Sequence, residues 1–117
     1  MLFRGSYKGS LVTFSFSDLK GFEDEKVSVR GQIPLDEITE ISSSVGKDKN
    51  DNFIFVGDVL EAPFGFFRVI EPDKEARQTV HCQSEGGKVG VFAEYCKVIG
   101  NDFETPGLFE IKCLLAV

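Results

Sequence analysis

The chain has 117 residues, of which 42% are hydrophobic and 27% charged, and its net charge is -6. A chain of this size and composition forms an ordinary globular domain that buries a core without a covalent staple, which excludes a disordered segment. The acidic balance argues against a nucleic-acid binder that works through a broad basic face.

The N-terminal third reads as short strands and turns. Ser6-Tyr7-Lys8-Gly9-Ser10 has the form of a tight turn in which Gly9 is free to take positive φ. Residues 11–17 alternate with period two, with Val12, Phe14 and Phe16 on one side and Leu11, Thr13, Ser15 and Ser17 on the other. That is the pattern of a half-buried strand. Residues 18–26 read as a loop that contains the solvated acidic run Glu23-Asp24-Glu25, and residues 27–30 as a further short strand ended by Gly31. Pro34, Leu35, Ile38 and Ile41 make the only helical pattern, with Asp36 and Glu37 suited to an N-terminal dipole.

From Phe53 onward the strand pattern returns over residues 53–55 and 59–62, until Pro63 breaks it. Residues 64–70 are apolar on both faces, as in a central strand covered on both sides. Residues 71–74 form a turn, and residues 77–83 alternate, with Val80 and Cys82 opposite Thr79 and His81. Glu85-Gly86-Gly87-Lys88 is a hairpin signal. The strand then resumes through residues 89–99, with Gly90 a bulge site. Residues 111–117 are apolar, and a strand paired into a sheet would cover Leu114, Leu115 and Val117. Twelve phenylalanines, against two tyrosines and no tryptophan, are spread along these elements and suit a Phe-rich β core.

Signals for chemistry are sparse. Asp48, Asn50 and Asn52 stand at alternate positions, but a calcium loop of the EF type needs Gly at its sixth position and an acid at its twelfth. Phe53 and Val59 stand there. A turn accounts for the stretch better, with Asn50-Asp51 reversing the chain between Gly46-Lys47 and the strand at Phe53. Gly57-Asp58 supplies a second bend, where Asp58 can accept backbone N–H bonds. Gly86-Gly87-Lys88 lacks the spacing and the following helix of a phosphate cradle. His81 is the sole histidine, no Ser sits in a nucleophile-elbow context, and pairing of His81 with Cys96 has no supporting mark. Cys82, Cys96 and Cys113 are odd in number and lack C-x-x-C spacing, so idle thiols in a reducing cytoplasm are expected rather than disulfides or zinc.

No signal-peptide pattern follows Met1, and no apolar run approaches the roughly 20 residues of a membrane span. No catalytic residue, metal, cofactor or small-molecule substrate is therefore expected, and no membrane. Two surfaces stand out. Phe64, Phe66 and Arg68 share a strand face and could stack on single-stranded nucleic acid, although core packing is the favoured reading. Leu114, Leu115 and Val117 form the favoured subunit contact.

Two motifs carry a resemblance. In "GKDKNDNFIFVGDVL", the residues Lys47, Asp48, Lys49, Asn50, Ile54, Phe55, Gly57, Asp58, Val59 and Leu60 fit one motif. In "KVIGNDFETPGLFE", the residues Val98, Ile99, Gly100, Asn101, Phe103, Glu104, Pro106 and Leu108 fit another, and Phe3-Arg4-Gly5 fits an opening. This combination resembles the YopX-like family of phage and prophage proteins, closely over residues 45–108 and loosely over the first 44. Asp51 stands where that family's turn has glycine, Gly46 where it has leucine, and Val56 where it has an acid. The resemblance implies a small SH3-like β-barrel, which the short strands from Phe53 to Ile99 support, and it brings no active-site residues. Lys47, Asp48, Asn50, Gly57, Asp58, Gly100, Asn101 and Pro106 are therefore read as structural.

The expected architecture is mainly β, with a β-rich α+β fold as the alternative. Residues 1–44 form an N-terminal β extension packed on a barrel of residues 45–117, which ends in an apolar strand, with at most one short helix. The expected role is that of a phage- or prophage-encoded, non-enzymatic binding or assembly module in the bacterial cytoplasm. It would form a homo-oligomer or bind a host or phage protein. The alternative is a nucleic-acid-binding accessory protein of phage replication or regulation, which the net charge disfavours.

Overall fold

A computed structural model describes residues 2–22, 26–71 and 79–115. The acidic run Glu23-Asp24-Glu25, the turn at Pro72-Asp73-Lys74, the start of the strand at residues 77–83, and Val117 lie outside the described residues. The chain divides into two units, Met1–Ser44 and Val45–Val117.

In the first unit, Lys8 and Gly9 both take positive φ, 48° and 80°. This mirror-image turn matches the twist of antiparallel strands, and it joins β1 (Phe3–Tyr7) to β2 (Ser10–Phe14). The strand stops at Phe14, short of the expected Ser17. Asp18 Oδ2 accepts the backbone N–H of Ser15 at 2.8 Å, which winds Phe16–Asp18 into a 3-10 turn. Phe16 is left 67% exposed, with its ring edge-on to Phe3. Three two-residue strands follow: β3 (Leu19–Lys20), β4 (Ser28–Val29) and β5 (Ile33–Pro34), paired in that order.

The helix expected from Pro34 to Ile41 is not formed. Leu35–Glu37 makes one 3-10 turn, and Thr39–Ser43 is strand β6, paired antiparallel to β1. β-Branched Ile38, Thr39 and Ile41 favour extended backbone, and β1 offers an edge to pair with. Phe14, Val29 and Ile38 are buried at the centre of this unit, with Phe3, Tyr7, Val12, Leu19, Ile33 and Leu35 packed around them.

The second unit begins with a ribbon of β7 (Gly46–Lys47) and β8 (Phe53–Ile54). Five longer strands follow: β9 (Asp58–Ala62), β10 (Gly65–Glu71), β11 (Thr79–Ser84), β12 (Gly87–Phe92) and β13 (Lys97–Asn101). They form one antiparallel sheet in the order β12-β11-β10-β9-β13. Period-two alternation puts Leu60, Ala62, Phe67, Val69, Val80, Cys82 and Val91 on one face, where they are buried with Ile54, Ala93 and Cys96. Fully burying an aliphatic or aromatic side chain contributes about 1.5–3 kcal/mol, so this face holds the second unit together.

Several expectations need correction. Among the described residues there is no closed SH3-like barrel. The five-stranded sheet is open, β12 and β13 do not pair, and the β7–β8 ribbon is a separate sheet. Closing a barrel requires its edge strands to meet through a consistent stagger. Here the edge residues of β13 already bond elsewhere, as described below. The fold is mixed α+β. The segment expected as a last strand is the helix α1 (Leu108–Leu115). Its unbranched residues favour a helix, and a turn at residues 101–107 launches it. Gly90 is no bulge, because β11 and β12 pair in unbroken register through His81 and Gly90. In the five-stranded sheet the register shifts instead fall at Val69/Glu71 and Val98/Gly100. The strand expected over residues 89–99 is interrupted by a 3-10 turn at Ala93–Tyr95.

Candidate functional site

The second face of the sheet carries the features that distinguish this chain. Arg68 projects from the middle of β10, where Val59 of β9 stands opposite it. Its Nε lies 2.5 Å from Asp102 Oδ2, and a terminal guanidinium nitrogen meets Glu110 Oε1. The other terminal nitrogen donates to Gln83 Oε1 at 3.1 Å, and the guanidinium carbon stands 4.8 Å over the ring of Phe109. One arginine therefore joins β10, β11, the segment after β13, and α1. Burial alone would lower the pKa of Arg68. The hydrogen bond to Glu110 and the charge of Asp102 outweigh it and raise the value. In return the Arg68 hydrogen bond holds the Glu110 carboxyl below its usual range.

This arrangement fixes how α1 sits. Phe109 is buried against the sheet and the guanidinium, while Leu108, Lys112 and Cys113 are half-buried. The opposite side of the helix carries Ile111, Leu114 and Leu115, which are 50%, 75% and 74% exposed. Spacings of three and four put these side chains on one face.

The expected row of Phe64, Phe66 and Arg68 is broken. Ala62 pairs with Gly65, so Pro63-Phe64 is the turn itself and Phe64 leaves the strand. Phe64 is 68% exposed, and its ring meets Phe67 edge-on, on the core side. Phe66 is half-buried opposite Glu61. Of the proposed subunit contact, Leu114 and Leu115 lie on α1 rather than on a strand, and Val117 is outside the described residues. Sequence reasoning missed the clamp of Arg68, Asp102, Phe109 and Glu110 and did not single out Ile111. Helical spacing of Leu108, Ile111 and Leu115 was the available signal. The pairing of Arg68 with Glu110, 42 positions apart, left none.

The motif residues form joints. Asp48 is buried, with Oδ1 accepting N–H bonds from Asn50 and Asn52 at 2.9 and 2.8 Å. Its Oδ2 accepts the N–H of Val98 at the start of β13, also at 2.9 Å. Asp51 N–H donates to the Asp48 carbonyl, and Asp51 takes φ of 63°. Burial alone would raise the Asp48 carboxyl. The backbone N–H bonds of Val98, Asn52 and Asn50 outweigh it and hold the group below the ordinary carboxylate range. Asn50 thus contributes its backbone to the loop, and Lys47 lays its ammonium 4.8 Å over the Phe53 ring.

Gly57, at φ of 92°, donates its N–H to Val69 O and accepts from Asp102 N–H. Asp58 Oδ2 accepts the N–H of Phe55 at 2.8 Å. Asn101 Oδ1 accepts the N–H of Glu104, and its Nδ2 donates to Glu104 Oε1. A side chain at Gly100 would stand 2.6 Å from Leu108, so glycine lets α1 approach β13. Pro106 is exposed just ahead of α1.

Among the described residues, no group of three or more His, Cys, Asp and Glu side chains could hold a metal ion. Nor is any helix among them long and apolar enough to cross a membrane. Burial pushes the Cys82 thiol up to about 12 and the Cys96 thiol to about 11, and all three cysteines are free. An open groove in the first unit, of about 670 Å³, is lined by Lys26, Val27, Ser28, Pro34, Leu35, Asp36 and Glu37. No family model, curated protein or solved structure matches the chain.

Proposed function

We propose that the chain is a non-enzymatic binding module whose contact element is α1, and that its partner is another protein. The observation that carries this reading is the clamped helix. Arg68, Asp102 and Glu110 hold α1 in one pose, and that pose displays Ile111, Leu114 and Leu115 to solvent. An apolar helix face presented by a rigid support is the donor half of a helix-in-groove contact. Association removes that area from water at roughly 25 cal/mol per Å² before the costs of ordering. The assignment to a phage or prophage and to the bacterial cytoplasm rests on the two motifs that resemble the YopX-like family, and on nothing in the fold.

Affinity capture from phage-infected cells, with wild type beside Leu114→Glu/Leu115→Glu, tests the reading. Proteins held by wild type and lost by the double variant support it. An identical set on both overturns it.

Nucleic-acid handling is the weaker alternative, because Arg68 already neutralises two carboxylates and Phe64 has left the strand row. Single-stranded oligonucleotides at low salt are expected to show no binding. Affinity that falls with salt would favour the alternative.

A further inference from the structure

The five-stranded sheet has two edges. On β13, Val98 N–H bonds to Asp48, and the Cys96 carbonyl just before the strand accepts Lys49 N–H at 2.9 Å. Among the described residues, β12 pairs only with β11. Ser84 and Gly87 close a two-residue hairpin loop, and the pairing runs in register to Thr79 and Phe92. In an antiparallel ladder, residues alternate between bonding inward and facing away. Gly87, Val89 and Val91 bond to β11. The N–H and C=O of Lys88 and Gly90 therefore point outward along the free edge, and all of Lys88, Gly90 and Phe92 are exposed. The Phe92 carbonyl, at the start of the 3-10 turn, instead accepts the Cys96 thiol at 3.4 Å, which leaves Phe92 its N–H for the edge. Val89 beside them is also 39% exposed. An edge of this kind is normally blunted by proline, a bulge or several charges. β12 has one lysine, no proline and no bulge.

We propose that β12 is a self-pairing edge and that its occupant is a second copy of this chain, related by a two-fold axis through Gly90. The register follows from the side chains. A continuous antiparallel sheet keeps Lys88, Gly90 and Phe92 on one face and Val89 and Val91 on the other. With Gly90 opposite Gly90, Lys88 stands opposite Phe92 on both sides of the axis, and Val89 stands opposite Val91. Gly90 then exchanges both backbone bonds with its own copy, and Phe92 N–H donates to the Lys88 carbonyl. Each lysine meets an aromatic ring, a favourable cation–π pairing, and no like charges face each other. An axis through Val89 would instead set Lys88 against Gly90 and leave Phe92 beyond the strand, facing the hairpin turn. The residue on the axis has no side chain, so the two strands meet there without steric conflict. Such a two-fold contact is isologous and closes at a dimer. Its small area makes it a concentration-dependent one. It is independent of the reading of α1, which lies on a face of the sheet and not at this edge.

The test is register-specific cross-linking. Across a bonded antiparallel pair the Cα atoms lie about 5.5 Å apart, within disulfide reach. In a Cys113→Ser background, Gly90→Cys is expected to give a disulfide-linked dimer on mild oxidation. Val89→Cys, whose own copy lies two residues out of register, is expected to give none. Gly90→Lys and Gly90→Asp should each sediment as monomers, because like charges face across the axis, while their equimolar mixture should recover the dimer. Circular dichroism establishes that each variant is folded. Leu114→Glu/Leu115→Glu in the Gly90→Cys protein should leave the cross-link unchanged, which separates this contact from that of α1. A folded Gly90→Cys protein that stays monomeric, as it would if an extended segment of another protein were the occupant, overturns the proposal. So does equal cross-linking at positions 89 and 90.

Discussion

Strands β13 and β12 bound the same sheet, yet β13 meets protein and β12 meets solvent. At β13 a buried carboxylate, Asp48, accepts Val98 N–H and two N–H groups of its own loop. At β12 the outward backbone groups of Lys88 and Gly90 have no strand partner among the described residues, and only the Phe92 carbonyl is engaged, by the Cys96 thiol. An edge capped by a single side chain depends on that side chain. An uncapped edge remains a template for pairing.

The largest expected effect comes from uncovering the capped edge. Asp48→Ala removes the acceptor of Asn50, Asn52 and Val98 N–H together and is expected to destabilise the second unit by about 3 kcal/mol, read by urea unfolding. Asp48→Asn keeps one acceptor but turns an amide donor toward N–H groups, so it should cost less, about 1–2 kcal/mol. Equal stability of wild type and Asp48→Ala would show that the carboxylate does not hold the edge.

Next is the clamp. Arg68→Met keeps the aliphatic stem and deletes the charge shared with Asp102 and Glu110. A loss of about 1–2 kcal/mol is expected for this partly buried network. Faster amide exchange along α1 should accompany it, while β12 is unchanged.

The pH dependence sharpens the comparison further. The native Asp48 carboxyl titrates below its unfolded value of about 4. Its contribution is therefore fully present above that value and is lost as pH falls through the native one. Denaturant unfolding from pH 7 to pH 3 should show this decline, and Asp48→Asn should flatten part of it. The smallest effect is chemical. Iodoacetamide at pH 8 should modify half-exposed Cys113 and spare Cys82 and Cys96, whose buried thiols stay protonated.

These contrasts also show what the sequence revealed. Period-two alternation located β2 and β11, and apolar runs located β9 and β10 with Leu60 in the core, because strand burial is written locally. The hairpin at Glu85-Gly86 and the reversal at Asn50-Asp51 were legible from turn chemistry, since Asn, Asp and Gly impose it over a few residues. Sheet closure was not legible. Whether β12 meets β13 depends on stagger and on what else bonds each edge, and Asp48 reaches Val98 across 50 positions. The secondary structure of residues 111–115 was misread because a short apolar run carries no clear period. The turn Asn101–Glu104 that launches α1 gained its meaning only beside it. For the candidate site, Leu114 and Leu115 were found from their hydrophobicity. The clamp that displays them was hidden, because Arg68, Asp102 and Glu110 are distant in sequence.

Residue-resolved amide hydrogen exchange across a dilution series tests the contrast between the edges most directly. The account predicts that Val98 N–H stays protected at every concentration. Gly90 N–H should exchange rapidly in dilute protein and become protected as the concentration rises. A Gly90 amide protected at the lowest concentration, or a Val98 amide that exchanges as freely as Gly90, would contradict it.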